Sequence, residues 1–88
     1  MAAVSVSVKC TAPQYWVTID YIDMDDSGSN QSPKAFSPGL HYLFWWMAGA
    51  PSDTISIDVT SGGSVVCPKV TGTMQGHNAF GDHVTFTL

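Results

Sequence analysis

Apolar side chains recur at every second position along most of this chain. Val4, Val6, Val8 and Cys10 alternate with Ser5, Ser7, Lys9 and Thr11, which is the period of a β-strand with one buried face. Serines and a lysine on the outer side suit an edge strand, because a charge there blunts sideways pairing. Pro13 ends this segment. Tyr15, Val17, Ile19 and Tyr21 alternate with Trp16, Thr18, Asp20 and Ile22. A second strand follows, with the first set inward and Trp16 on the outer face beside Thr18 and Asp20. Ile55, Ile57 and Val59 alternate with Thr54, Ser56, Asp58 and Thr60, and Val84, Phe86 and Leu88 alternate with His83, Thr85 and Thr87. Both patterns predict strands with one dry and one wet face.

The stretch His41 to Val59, HYLFWWMAGAPSDTISIDV, carries the densest apolar load. Tyr42, Phe44 and Trp46 project to one side of a strand, and Leu43, Trp45 and Met47 to the other. The run ends at Gly49-Ala50-Pro51-Ser52-Asp53, so it has the length of a strand rather than a helix. Both of its faces are apolar, which allows two readings. The strand is central and covered by protein on both sides, or one face holds its rings in the open. The first is favoured, because a small sandwich needs its aromatic residues inside.

The remaining segments are punctuated by turn chemistry. Asp23 to Gly39 is rich in Asp, Ser, Gly and Pro, lacks periodicity, and is predicted to be a long loop with Phe36 tucked back as an anchor. Thr60 to Ser64 reads as a turn leading to a short strand, Val65 to Cys67. Pro68 interrupts that strand, so an edge position or a bend is expected, with Lys69 to Thr71 resuming it. Thr71 to Asn78 and Gly81-Asp82 are further turn signals. The count is six to seven strands at spacings of about 8–12 residues, with no helical pattern. The predicted fold is all-β: one domain over residues 1–88, a small two-sheet antiparallel β-sandwich of immunoglobulin or fibronectin-III type. A partly open barrel is the alternative.

Composition narrows the function. A chain of 88 residues buries a thin core. The formal net charge is −4, and the three cations are Lys9, Lys34 and Lys69. Nucleic acid and anionic membrane surfaces are therefore poor partners, since both reward basic patches. No apolar run reaches transmembrane length. The Ser-, Thr- and Gly-rich balance favours an extracellular or periplasmic setting, although the first residues lack the pattern of a signal peptide. Cys10 and Cys67 are the only cysteines. A disulfide between them would close most of the chain and contribute about 4 kcal/mol in the loop-entropy picture. The even count in a small domain favours it over two free thiols.

Three groups of residues carry candidate chemistry. Asp23, Asp25 and Ser27, followed by Gly28, resemble the opening half of a calcium loop. The closing half fails, because Lys34 stands where a bidentate carboxylate is needed. A solvated acidic turn is the plain alternative, and no other cofactor is expected. His77, Asp82 and His83, with His41, would need to converge to hold a metal or act as a base. The third group is aromatic: Trp16, Tyr42, Trp45 and Trp46. Rings on an open face, flanked by polar groups, stack on sugars or anchor protein partners. The chain is expected to be a non-enzymatic binding module that contacts a partner protein or itself through this surface and the 23–39 loop. Carbohydrate binding, with calcium as an aid, is the alternative.

Overall fold

A computed structural model describes residues 1–24, 34–76 and 78–88. It contains eight strands: β1 (Ala2–Cys10), β2 (Gln14–Ile19), β3 (Ile22–Asp23), β4 (Lys34–Phe36), β5 (Leu40–Gly49), β6 (Thr54–Ser61), β7 (Ser64–Thr73) and β8 (Asn78–Thr87). They form two four-stranded sheets of order β4-β1-β6-β7 and β3-β2-β5-β8, with every pairing antiparallel. The sheets pack face to face and do not close into a barrel. The sandwich is thus as expected, but its strand order is not the immunoglobulin one, in which the first two strands are neighbours in one sheet. Here β1 and β2 lie in different sheets.

The interior is built from the alternating positions. Val4, Val6 and Val8 of β1, Ile55, Ile57 and Val59 of β6, and Cys67 of β7 face Val17 and Ile19 of β2, Leu43, Trp45 and Met47 of β5, and Phe86 of β8. On the solvent side of the first sheet, Ser5 lies opposite Thr60, Ser7 opposite Asp58 and Lys9 opposite Ser56. Across β1 and β6 that face is polar, and β7 adds the exposed Val65 opposite Thr60.

Two hairpins use two-residue turns. Gly62 and Gly63 have φ of 59° and 83°, the type I′ geometry that matches strand twist. The β2–β3 turn has the same form but is made by Asp20 and Tyr21, with φ of 50° and 66°. A tyrosine in the left-handed region costs about 1–2 kcal/mol where glycine would cost nothing.

Four segments differ from the pattern-based expectation. The supposed 23–39 loop contains β4, which pairs with β1 and buries Phe36 as its anchor. β2 stops at Ile19, so Tyr21 stands in the turn and is 83% exposed rather than inward. β7 runs through Pro68. It is an edge strand, and its register with β6 shifts on both sides of Val59, so the proline sits where an edge and a bulge both tolerate it. β8 begins at Asn78 and includes Gly81-Asp82, because β5 offers a partner for its whole length. Gly81 serves close approach there: a Cβ would come within 2.5 Å of the Trp45 carbonyl oxygen.

The disulfide is not formed, and both cysteines are free. Cys10 lies opposite Ile55 and Cys67 opposite Val59, on the two sides of β6. Two strand spacings and four residues of rise put them well over about 10 Å apart, whereas a bridge needs about 4.4–6.8 Å between Cα atoms. Burial pushes both thiols up, which keeps them unreactive.

Candidate functional site

The solvent face of the second sheet is unlike that of the first. Direct opposition across β2 and β5 pairs Trp16 with Trp46 and Thr18 with Phe44. Residues opposed in this way share a face, so the outward direction of Trp16 carries Tyr42, Phe44 and Trp46 outward as well. Across all four strands, one row reads Asp23, Thr18, Phe44 and His83. The next reads Trp16, Trp46 and Gly81. Trp16 is 50% exposed and Tyr42 44%.

The rings touch one another. Trp16 and Trp46 have centroids 4.6 Å apart, tilted by 37°. Tyr21 stacks on Phe44 at 5.3 Å and 17°, Tyr42 on Phe44 at 6.3 Å and 22°, and His83 lies 5.5 Å from Phe44. Tyr21 thus reaches the face from the strained turn. Its backbone conformation is unfavourable, its side chain is open to water, and its ring completes the stack. Strain of this kind persists where the surroundings hold it in place, and it gathers at functional sites.

Beneath one end of this face lies His41, 5% exposed, on the inward side of β5. Its Nδ1 is 2.5 Å from Asp20 Oδ2, and its Nε2 is 2.7 Å from the Ser37 carbonyl oxygen. Both partners accept, so the ring holds both protons and donates twice. The hydrogen bond to Asp20, with that to Ser37, pushes the imidazole up despite its burial. Burial works against the charge of Asp20, but the bonds from His41 and from the Tyr42 amide outweigh it and hold the carboxyl below its ordinary value. The Tyr42 amide donates to Asp20 Oδ1 at 2.9 Å. The pair therefore ties the Asp20-Tyr21 turn to β5 and to the Ser37 connection. Both ring nitrogens of His41 are thus engaged within the fold.

The predicted site residues divide as follows. Trp16, Tyr42 and Trp46 share the open face. Trp45 does not: it is 6% exposed and lies inside the sandwich, edge-on to Phe80 and against Gly72 of the opposite sheet. Tyr21 and Phe44 belong to the surface although they are not among the predicted site residues, and His83, a candidate metal ligand or base in the sequence, stands on it beside Phe44. Asp23 sits on the outer face of β3, and its carbonyl accepts from Lys34 Nζ at 2.7 Å. Asp25 and Ser27, the other members of the calcium motif, lie outside the described residues, as does His77. Among the described residues, no three His, Cys, Asp or Glu side chains gather as a metal site. Also among them, no helix is long and apolar enough to cross a membrane.

No protein family, curated protein or solved structure matches the chain.

Proposed function

We propose that this protein is a non-catalytic recognition module that holds a protein partner against the outer face of the β3-β2-β5-β8 sheet. The observation that carries the reading is the gathering on one outer face of two ring groups, the tilted Trp16–Trp46 pair and Tyr21 and Tyr42 stacked on Phe44, with Trp16, Tyr21 and Tyr42 open to water. Tyr and Trp are the residues that most often anchor protein interfaces. The opposite outer face, with Ser5, Ser7, Lys9, Ser56, Asp58 and Thr60 and the exposed Val65 at its β7 edge, supplies the internal contrast.

Strand edges offer less. β3 and β4 are short, β7 carries Pro68 and Lys69, and β8 turns Asp82 toward the inner side. Each is a known way of discouraging edge-to-edge pairing. Sugar stacking on Trp16 is the second reading, favoured by its exposed indole beside Thr18. The mutual tilt of Trp16 and Trp46 weighs against a flat platform.

Tyr21→Gly is the discriminating variant. It removes a ring from the face while relieving the left-handed strain, so thermal stability should stay level or rise. Partner capture, or a fluorescence response to a glycan panel, should fall. A variant that binds undiminished, whichever ligand is used, removes Tyr21 from the site. A response confined to glycans transfers the function to the second reading.

A further inference from the structure

Ser37, Pro38 and Gly39 carry the chain from β4, at the edge of the first sheet, to β5 in the second. His41 holds this crossing from inside. Its Nε2 donates to the Ser37 carbonyl at 2.7 Å and its Nδ1 to Asp20 at 2.5 Å. The ring also packs against Phe36 of β4 at 5.4 Å and Phe86 of β8 at 5.7 Å. Of the charged groups on the surrounding elements, Asp20 is the one that meets the ring among the described residues. Lys34 of β4 donates to the Asp23 carbonyl, and the Leu88 carboxyl accepts from the Gly39 amide at 3.0 Å. Asp82 of β8 accepts from the His83 amide, and His83 lies against Phe44 on the outer face.

The two ring nitrogens part company when one proton leaves. An ionised carboxylate holds an N–H more strongly than a neutral carbonyl does, so Nδ1 keeps its proton and Nε2 gives up its own. A lone pair then faces the Ser37 oxygen. A peptide flip would ordinarily turn an N–H toward it, but the nitrogen of that peptide belongs to Pro38, which carries none. His41 is 5% exposed, so water reaches Nε2 only when the crossing moves. We propose that His41 is a pH-operated latch on the crossing between the sheets: with both nitrogens protonated it holds Ser37 and β4 in place, and on losing one proton it lets them go while keeping Asp20 and the Tyr21 turn. Opening bares the Phe36 side chain and the edge of β1 that β4 covers. The bonds to Asp20 and then to Ser37 raise the imidazole above its ordinary value. The latch is therefore closed below about pH 6.5 and opens as pH rises through the folded value.

Two measurements on the unaltered chain test this. Proton–nitrogen correlation of the His41 ring by NMR shows which nitrogen is bare above its titration midpoint, and Nε2 is expected. Limited chymotrypsin digestion, read by mass spectrometry, compares cutting after Phe36 with cutting after Tyr21, which is exposed in its turn at every pH. The ratio cancels the pH dependence of the protease. It should rise roughly fivefold or more from below the midpoint to above it, as the loss of one buried hydrogen bond implies. Asp20→Asn supplies the converse. Its carboxamide oxygen still accepts from the Tyr42 amide and its nitrogen donates to Nδ1, so a neutral His41 keeps its proton on Nε2 and stays bonded to Ser37. Asparagine also tolerates the left-handed backbone of this position. The cleavage ratio of this variant should be flat over the same range.

A bare Nδ1 overturns the latch, because Asp20 and not Ser37 would then be released. A cleavage ratio that does not change with pH overturns it, whether both sites stay closed or both open together. A ratio that rises in Asp20→Asn as it does in the unaltered chain overturns it too, since the carboxylate would then have no part in choosing the proton. None of these outcomes touches the ring-bearing face, which Tyr21→Gly tests separately.

Discussion

Protonation of His41 should set the stability of this fold on the alkaline side of neutrality. The imidazole donates to Asp20 and to the Ser37 carbonyl, and losing one proton turns one of those donors into a lone pair aimed at an acceptor. A hydrogen bond to a charged group contributes about 1.5–3 kcal/mol. The Asp20 side chain is 35% exposed, so water screens part of that, and about 1–2 kcal/mol is the expected loss. For a domain of this size, that corresponds to roughly 5–15 °C in Tm.

The direction follows from linkage. The folded-state pKa of His41 is raised above its ordinary 6.5. Its contribution is therefore complete below the unfolded value and is lost as pH rises through the folded one. Asp20 is lowered from 3.8, so its contribution holds above that value and is lost as pH falls through its folded pKa. Stability should be level between about pH 4 and 6.5 and decline above. Thermal melts at half-unit steps from pH 5 to 8.5 measure this, and the carbon-bound proton of the His41 ring reports its titration directly by NMR. His41→Gln should lower Tm and flatten the decline over that range. A ring that titrates at or below 6.5, or a decline unchanged in His41→Gln, would refute the reasoning.

Other consequences are simpler to state. Trp45→Ala should cost about 3–5 kcal/mol, as a large buried ring does, whereas Trp16→Ser should cost less, because half of that side chain already lies in water; denaturant melts compare the two. Gly81→Val should cost about 1–3 kcal/mol, because its Cβ would press on the Trp45 carbonyl rather than on a side chain that can yield. Adding a reductant should leave Tm unchanged, since Cys10 and Cys67 are free; a fall of several degrees would mean a bridge.

Period-two patterning was enough to read the sandwich and the inward set of almost every strand. It could not say which face of β5 looks inward, because both are apolar. That choice was made by β2, whose Thr18 beside Trp16 marks the wet side, and by a register that only pairing reveals. Tyr21 was misplaced because a type I′ turn normally announces itself with Asn or Gly, and Asp-Tyr does not. β4 and the first half of β8 were missed for a related reason. Three residues of β4 have no period to detect, and Gly81-Asp82 carries a turn signal that a long neighbouring strand overrides. The disulfide inference failed on topology: counting cysteines says nothing about the strand that lies between them. His41 entered the sequence reading only as a possible metal ligand or base, and its bonds to Asp20 and the Ser37 carbonyl give it a structural role.

Everything functional here depends on the rings of the second sheet being open to water in the free protein. Paramagnetic relaxation of the three indole NH signals by a soluble gadolinium chelate measures this in dilute solution. Trp16 should relax strongly, Trp46 to an intermediate degree and Trp45 barely. A Trp16 signal as protected as that of Trp45 would mean that the face is already covered, and the recognition surface would not exist.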